Sequence, residues 1–187
     1  MPRGIDARNL AEFIRRCKKK NVLTIVDSSG VWLRTAVSAK PFMIKPNVEE
    51  LSELVGRPLD PRDTGALLHA MDQLASTGIK LVVVSRGRKG LLVKYEGRIW
   101  TGRVNVDGRS AATGAIGSGD ATVAGFCLGL ARRYEMPEII RLAVACGAAN
   151  LLSIGPAVVK RQDVERLCAN VTLREISKRY PSEQSRS

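Results

Sequence analysis

The sequence is poor in several residue types, and each shortage removes a class of function. Only 4% of the residues are aromatic, so a core must be built mainly from Val, Leu, Ile and Ala. His69 is the only histidine, which argues against a Ser-His-Asp triad and against a zinc centre. The four cysteines are scattered, and Cys127, Cys146 and Cys168 fall in apolar helical stretches. Any bound metal should therefore be a hard cation held by oxygen atoms.

Long apolar runs and targeting signals are also missing. No segment approaches the roughly 20 apolar residues of a membrane span, and no signal-peptide pattern opens the chain. We therefore expect a cytoplasmic protein with no membrane partner. The length of 187 residues predicts one domain, over residues 1–180, followed by a polar tail over residues 181–187.

Acidic residues are outnumbered: 18 Asp and Glu stand against 30 Lys and Arg, which gives a net charge of +12. Such a surplus attracts anions, whether nucleic acid, nucleotides or phosphorylated metabolites. The densest basic block, residues 15–20, ends a predicted helix, where cations favour the negative end of the helix dipole. We interpret it as a solvated helix end. Because no nucleic-acid-binding motif accompanies it, we expect no nucleic-acid partner, and a basic nucleic-acid binder is kept as a rival hypothesis.

Segments with strand-like and helix-like patterns alternate along the chain. The predicted strands are residues 22–26, 42–44, 80–84, 91–95 and 98–104. The predicted helices are residues 6–20, 31–39, 48–55, 61–77, 119–133, 136–153, 161–169 and 173–179. This alternation predicts an α/β fold with a mainly parallel sheet flanked by helices. In the first helix, the spacing predicts one buried face formed by Leu10, Phe13, Ile14 and Cys17.

Polar or glycine-rich stretches follow the predicted strands. They are residues 27–30, 45–47, 85–87 and 114–120. Ligands of open parallel sheets bind at the carboxyl ends of the strands. The four stretches therefore predict a cleft along one edge of the sheet.

The most informative stretch is residues 114–126, GAIGSGDATVAGF. Its glycines permit a backbone whose N–H groups form a concave cradle, and the helix that starts there adds unpaired amides and a positive dipole end. Asp120 lies where an attacking hydroxyl must lose its proton. The stretch predicts a phosphoryl-transfer site, and the alternative is an ordinary loop followed by a helix-capping Asp. No Gly-x-x-x-x-Gly-Lys-[Ser/Thr] motif is present, which excludes a P-loop nucleotidase.

Four segments, in this order, resemble the PfkB (ribokinase-like) family of carbohydrate kinases, and most of all its phosphofructokinase and tagatose-6-phosphate kinase branch. They are DSSG at residues 27–30, KPNVEEL at 45–51, VVSRGRKG at 83–90 and GSGDATVAGF at 117–126. The resemblance implies a ribokinase-like fold, with ATP and Mg²⁺ as cofactors and K⁺ in some members. It also implies phosphoryl transfer to a sugar phosphate such as fructose 6-phosphate, fructose 1-phosphate or tagatose 6-phosphate. A kinase for an unphosphorylated sugar or a nucleoside, and a truncated ATP-binding relic without catalysis, stay open as alternatives.

The resemblance assigns the catalytic roles residue by residue. Asp120 matches the base that deprotonates the sugar hydroxyl, and the amides of Gly117, Ser118 and Gly119 match the anion hole. An Asn-x-x-Glu element that organises Mg²⁺ and the ATP phosphates, partly through water, is matched by Asn47 and Glu50. The residues alone also permit a simpler interpretation, in which Asn47 caps a helix whose first turn is acidic.

The resemblance also implies nucleotide and cation contacts. Lys45 would supply positive charge to the phosphates, and the loop along the nucleotide would include Ser85, Gly87 and Gly90. The adenine would pack on the helix around residues 145–150, with Gly147 and Asn150 as contacts. Close helix packing is the alternative for that segment, including Cys146 and Ala149. The weakest match is a monovalent-cation site formed by Gly114, Ile116, Ser153 and Gly155.

The sequence departs from the family pattern at three places. Arg86 replaces a residue that is usually neutral, and Ala115 stands where Thr or Pro is common. Residues 1–4 resemble the middle of the family's Gly-Ser-x-Pro-x-Gly segment, so the resemblance implies that the N-terminal strands, the β lid and most sugar contacts are missing. We expect an unpaired sheet edge and poor catalysis by this chain alone, because water competes for the phosphoryl group. A homo-oligomer or a partner completing the N-terminal part would supply what is missing; a start site misplaced within a longer gene is the other explanation.

Overall fold

The computed structural model describes residues 6–106, 116–152 and 158–176, and within these ranges one six-stranded sheet is flanked by helices. The strands are β1 Ile25–Val26, β2 Met43–Ile44, β3 Leu81–Ser85, β4 Leu91–Tyr95, β5 Arg98–Arg103 and β6 Thr172–Ile176. The helices are α1 Ala7–Lys19, α2 Gly30–Ser38, α3 Val48–Val55, α4 Thr64–Ser76, α5 Ser118–Ala131, α6 Met136–Asn150 and α7 Arg161–Ala169. The predicted tail, residues 181–187, and residues 1–4 lie outside the described ranges.

The strands follow one another in chain order across the sheet. The pairs β1–β2 and β2–β3 are parallel, whereas β3–β4, β4–β5 and β5–β6 are antiparallel. The predicted α/β class is confirmed, and the sheet is mixed rather than mainly parallel. The reason is the length of the connections: a 3₁₀ turn, Gly87–Lys89, joins β3 to β4, and two residues join β4 to β5. Connections this short permit only antiparallel pairing.

The end of the described chain differs from the prediction. A helix over residues 173–179 was wrong, because Thr172–Ile176 forms β6 against β5. Ile176 lies opposite Ile99, and the Glu175 carboxylate accepts two hydrogen bonds from the Arg98 guanidinium at 2.9 and 2.6 Å. These partners are far away in sequence, so tertiary pairing overrides the local pattern.

Two apolar layers enclose the sheet. One layer packs β-strand side chains such as Val82, Val84 and Ile99 against α1 to α4. The other layer packs side chains such as Val83 and Trp100 against α5 to α7. This arrangement agrees with the alternation of side chains along a strand.

The buried face of α1 is narrower than predicted. Ala11 and Ile14 are buried, but Phe13 is 61% exposed, so its placement in the core was wrong. Helical geometry turns successive residues by about 100°, and a stripe centred on Ala11 and Ile14 leaves Phe13 outside it. The first strand is also shorter than predicted, and Val22 and Leu23 are 53% and 54% exposed.

Helices α5 and α6 pack unusually close together because glycine lines their contact. A Cβ added at Gly125 would lie 2.6 Å from Ala143 Cα, and one at Gly129 would lie 2.8 Å from Ile139 Cγ1. Real Cβ atoms do not approach so closely, so only glycine fits at both positions. The close packing fixes the first turn of α5 beside the end of α6. None of the helices in the described ranges combines the length and the apolar character that crossing a bilayer requires.

Candidate functional site

A cavity of about 580 Å³ lies at the carboxyl end of β3 and beside the first turn of α5. Three parts of the chain enclose it: the turn that follows β3, the segment 104–106 after β5, and the facing sides of α5 and α6. Seven of the predicted site residues line it, namely Lys45, Ser85, Gly87, Gly90, Ser118, Gly119 and Gly147. The position agrees with the expectation that ligands bind where strands end.

The first turn of α5 presents its amides without a side-chain cap. Gly117 is the N-cap with a φ of 86°, a left-handed conformation that glycine adopts at little cost. The Ser118 hydroxyl, which could have capped the helix, instead donates to the Gly147 carbonyl at 2.8 Å. Helix-start amides have no partner within the helix. They can therefore bind an anion, which the helix dipole also favours.

A buried cation lies against this turn. Lys45 is 6% exposed, and its Nζ lies 3.1 Å from Asp27 Oδ2. A Cβ added at Gly119 would lie 3.3 Å from Lys45 Nζ and 3.6 Å from Asp27 Oδ2. The sequence predicted Lys45 but not its partner, although residues 27–30 were recognised as a strand exit. A carboxylate directly after β1 was the signal that could have identified Asp27.

Asp120 is the third residue of α5, directly after Gly119, and it is exposed. It does not line the cavity, whereas Ser118, Gly119 and Thr122 do. The carboxylate is therefore at the solvent side of the first turn, where a second substrate can reach it. Its catalytic role stays a prediction.

Asn47 and Glu50 form a capping box at the start of α3. Asn47 Oδ1 accepts from the Glu50 amide at 2.8 Å, and Glu50 Oε2 accepts from the Asn47 amide at 2.9 Å. This is the simpler interpretation weighed from the sequence. Asn47 also forms a parallel bridge with Ser85, which carries the β2–β3 pairing up to the cavity. Neither Asn47 nor Glu50 lines the cavity, and their role with Mg²⁺ stays a prediction.

Asn47 and Glu50 would be few ligands for a metal ion. Within the described ranges, no group of three or more His, Cys, Asp or Glu side chains could hold one. Mg²⁺ keeps several water molecules and needs few protein ligands, so an amide and a carboxylate beside the phosphates of a nucleotide fit it.

The turn after β3 needs glycine for steric reasons. A Cβ added at Gly90 would lie 2.1 Å from the Gly102 carbonyl oxygen, and Gly90 has a φ of 77°. Arg86, the departure noted above, does not line the cavity; its Nη2 donates to Thr101 Oγ1 at 3.3 Å. Burial lowers the pKa of the Arg86 guanidinium. Arg86 therefore reaches across the sheet rather than into the cavity.

One face of α6 forms the apolar wall of the cavity: Val144, Gly147 and Ala148, followed by Leu151. These positions share a face at helical spacing. The wall agrees with close contact at Gly147, since a Cβ there would lie 2.3 Å from Thr122 Oγ1.

The other residues of this segment lie elsewhere. Ala149 is fully buried in the core, and Cys146 is half-buried, with a pKa raised by burial. Thr122 was missed by sequence reasoning. It donates to the Ser118 carbonyl at 2.8 Å, and its position four residues after Ser118 was the available signal.

The predicted cation site is only partly within the described chain. Asn150 is fully buried, and its Nδ2 donates to the Ile116 carbonyl at 3.0 Å, which fastens the residue before α5 to α6. Neither residue lines the cavity. The nucleotide contact of Asn150 and the cation contact of Ile116 stay predictions. The remaining predicted ligands, Gly114, Ser153 and Gly155, lie outside the described residues, as does Ala115.

Comparison with known proteins agrees with the geometry. The sequence model of the pfkB family of carbohydrate kinases matches residues 1–162. The chain belongs to the pfkB carbohydrate kinase family. The predicted recognition is thereby confirmed, while the boundary placed at residue 180 stays a prediction.

Solved structures of this family superpose well on the chain. Phosphofructokinase-2 from Escherichia coli in complex with substrates and products is 31% identical, with a TM-score of 0.80 over 90% of this chain. The same enzyme in complex with potassium is 30% identical, with a TM-score of 0.79 to 0.80 across its structures and 0.80 in that complex. Ribokinase from Arabidopsis thaliana, complexed with ribose and ATP, is 22% identical with a TM-score of 0.74 over 89% of this chain, and that likeness shows the fold alone.

The chain spans about half the length of these kinases. It covers 54% of phosphofructokinase-2 in both of the complexes named above and 54% of the ribokinase. The half that matches contains the cavity, the start of α5 and the Lys45–Asp27 pair.

Proposed function

We propose that this pfkB-family chain binds ATP in the cavity and carries the base for phosphoryl transfer to a hydroxyl of a sugar phosphate. One observation supports this most: the buried Lys45–Asp27 pair lies against Gly119, at a helix start that no side chain caps. A fixed cation beside free amides is suited to the charge that develops on a phosphoryl group.

The cavity has a polar end and an apolar end, as a nucleotide has. Lys45 and the first-turn amides of α5 lie at the polar end, where they bind the phosphates. The apolar face of α6, at Gly147 and Ala148, lies along the other end and packs against the adenine. Because Gly147 has no side chain, this wall stays flat enough for a ring to lie on it.

Asp120 acts as the general base. Its carboxylate accepts the proton of the acceptor hydroxyl while that oxygen forms a bond to the γ-phosphorus and the bond to the ADP oxygen breaks. Its exposure on the solvent side of α5 lets the acceptor approach from outside the cavity. Mg²⁺, held near Asn47 and Glu50 and partly through water, neutralises phosphate charge when it is bound.

The acceptor class follows from charge and family. A net charge of +12 favours two anionic substrates, and phosphofructokinase-2 is among the similar structures. We therefore propose fructose 6-phosphate, fructose 1-phosphate or tagatose 6-phosphate as the class of acceptor. An unphosphorylated sugar or a nucleoside, and ATP binding without catalysis, are the alternatives that the experiment below separates.

The test compares ATP binding with ATP consumption. Calorimetry measures binding of ATP with Mg²⁺, and phosphate release or sugar phosphorylation measures turnover, each with and without the candidate acceptors. We expect Asp120→Asn to keep ATP binding and to lower turnover by about 100-fold or more, the usual contribution of a general base. Asp163→Asn on α7, remote from the cavity, is the matched control and should change neither quantity.

The chain alone should be a slow enzyme. It spans about half of the related kinases, so water reaches the phosphoryl group and hydrolysis competes with transfer. Slow turnover that still depends on Asp120 supports the proposal. Turnover that is equal in wild type and Asp120→Asn would refute the assigned base, and failure of the wild type to bind ATP would refute the proposed function.

A further inference from the structure

Three arginines converge on the face of the sheet opposite the cavity wall. Side chains alternate along a strand, and Ile99 on β5 packs into the layer of α1 to α4. Thr101 and Arg103 therefore share that face. Their partners on β6 are Arg174, directly opposite Thr101, and Thr172, directly opposite Arg103. The two arginines are thus diagonal neighbours on one surface.

Arg86 reaches the same surface from the turn after β3. Its Nη2 donates to Thr101 Oγ1 at 3.3 Å. Its Nε is buried and has no hydrogen-bond partner among the described residues. Arg86, Arg103 and Arg174, which we call the arginine cluster, therefore surround one threonine hydroxyl.

The charges of the arginine cluster are not compensated by the protein. No carboxylate of the described chain forms an ion pair with any of its three members. The same two strands do compensate the arginine on their other face, where Arg98 pairs with Glu175. Like charges placed as neighbours in a sheet destabilise it. A bound anion would remove that cost.

We propose that the arginine cluster, with the hydroxyls of Thr101 and Thr172, binds a diphosphate or longer polyphosphate group. Guanidinium groups bind phosphate through two parallel N–H bonds, which makes arginine better suited than lysine to such a ligand. Opposite residues of an antiparallel pair have Cβ atoms about 5 Å apart and diagonal ones about 7–8 Å. Long arginine side chains so spaced can converge on two adjacent phosphates.

This site is separate from the nucleotide cavity. Gly102, between Thr101 and Arg103, faces the other layer, where an added Cβ would lie 3.0 Å from Ile140 and 3.2 Å from Val144. The sheet itself thus lies between the two sites. The inference therefore does not depend on the proposed kinase activity.

Threonine methyl signals can locate the ligand without any mutation. We would titrate the full chain, labelled with ¹³C at the threonine methyls, with inorganic pyrophosphate and, separately, with ATP. The expected result is a saturable shift of Thr101 and Thr172 with either ligand, while Thr122, which lines the cavity, reports binding there. A diphosphate is sufficient if pyrophosphate alone shifts both signals, whereas a response to ATP only would show that the nucleotide is read as well.

Two double variants separate a built site from general attraction to a basic protein. Arg103→Gln with Arg174→Gln should weaken the pyrophosphate affinity measured at Thr101 by about tenfold or more, the loss expected from charge-assisted bonds. Arg15→Gln with Lys18→Gln removes two charges from the exposed side of α1 and should change it less than about twofold. Shifts that do not saturate, equal weakening in both variants, or a response to single-stranded nucleic acid but not to pyrophosphate would each overturn the proposal.

Discussion

At Gly147, the absence of a side chain lets α6 approach Thr122 so closely that the two helices share a hydrogen-bonded corner. Ser118 donates to the Gly147 carbonyl at 2.8 Å, and Thr122 donates to the Ser118 carbonyl at 2.8 Å. These bonds hold the first turn of α5, on which the proposed anion hole depends. The corner links residue-scale packing to the site.

Gly147→Ala should destabilise the protein despite the better helix propensity of alanine. The new Cβ would lie 2.3 Å from Thr122 Oγ1, so one of the two helices must shift. We expect the free energy of unfolding to fall by about 1–3 kcal/mol, as for other overpacked sites. Urea unfolding at equilibrium measures it.

Thr122→Ala supplies the control, because it removes the atom that clashes. In that background the further cost of Gly147→Ala should shrink by about 1 kcal/mol or more, the size of coupling seen between residues in contact. Independent, additive effects of the two substitutions would show that the close contact is not the cause.

At the scale of single elements, local signals predicted some boundaries well. The helix over residues 48–55 was predicted with the observed bounds, since Asn47 caps its start and Gly56, with a φ of 70°, ends it. The cavity position also followed from strand exits and the glycine-rich run. Pairings between distant segments could not be predicted. Strand β6 depends on β5, and the partners Asp27 of Lys45 and Thr122 of Ser118 become neighbours only in the fold.

The β5–β6 pairing should be sensitive to acid. Two hydrogen bonds from Arg98 hold the pKa of Glu175 below its ordinary value. A carboxyl group with a lowered pKa stabilises the folded state above its unfolded pKa, and that stability is lost as pH falls through the folded value. We expect Glu175→Gln to lower the Tm at neutral pH and the difference to vanish well below about pH 4.3, the ordinary pKa of glutamate.

Arg98→Gln tests whether this pair is the cause. In that background, Glu175→Gln should leave the pH dependence of the Tm unchanged. A difference between wild type and Glu175→Gln that is constant from neutral to acidic pH would contradict the assigned pKa.

At the scale of the whole molecule, the sheet ends at β1, a short strand with an apolar surround. Val22 and Leu23 precede it and are more than half exposed. Unpaired strand edges with exposed apolar residues promote association, whereas the net charge of +12 opposes it. The balance between the two should depend on salt.

We expect the chain to associate more strongly as ionic strength rises, because salt screens the repulsion between copies. Leu23→Lys should reduce that association by placing a charge beside the edge. Leu128→Lys, on the exposed side of α5, adds the same charge elsewhere and should have less effect. Sedimentation velocity measures the association, and equal behaviour of the two variants would show that the β1 edge is not involved.

The proposed nucleotide site is tested most directly by a crystal structure of the chain with Mg²⁺ and a non-hydrolysable ATP analogue. We predict the triphosphate against Lys45 and the amide of Gly119, the adenine on the α6 face at Gly147 and Ala148, and the Asp120 carboxylate facing the γ-phosphate. An analogue bound away from these residues, or a cavity that stays empty when the ligand is saturating, would contradict the assignment.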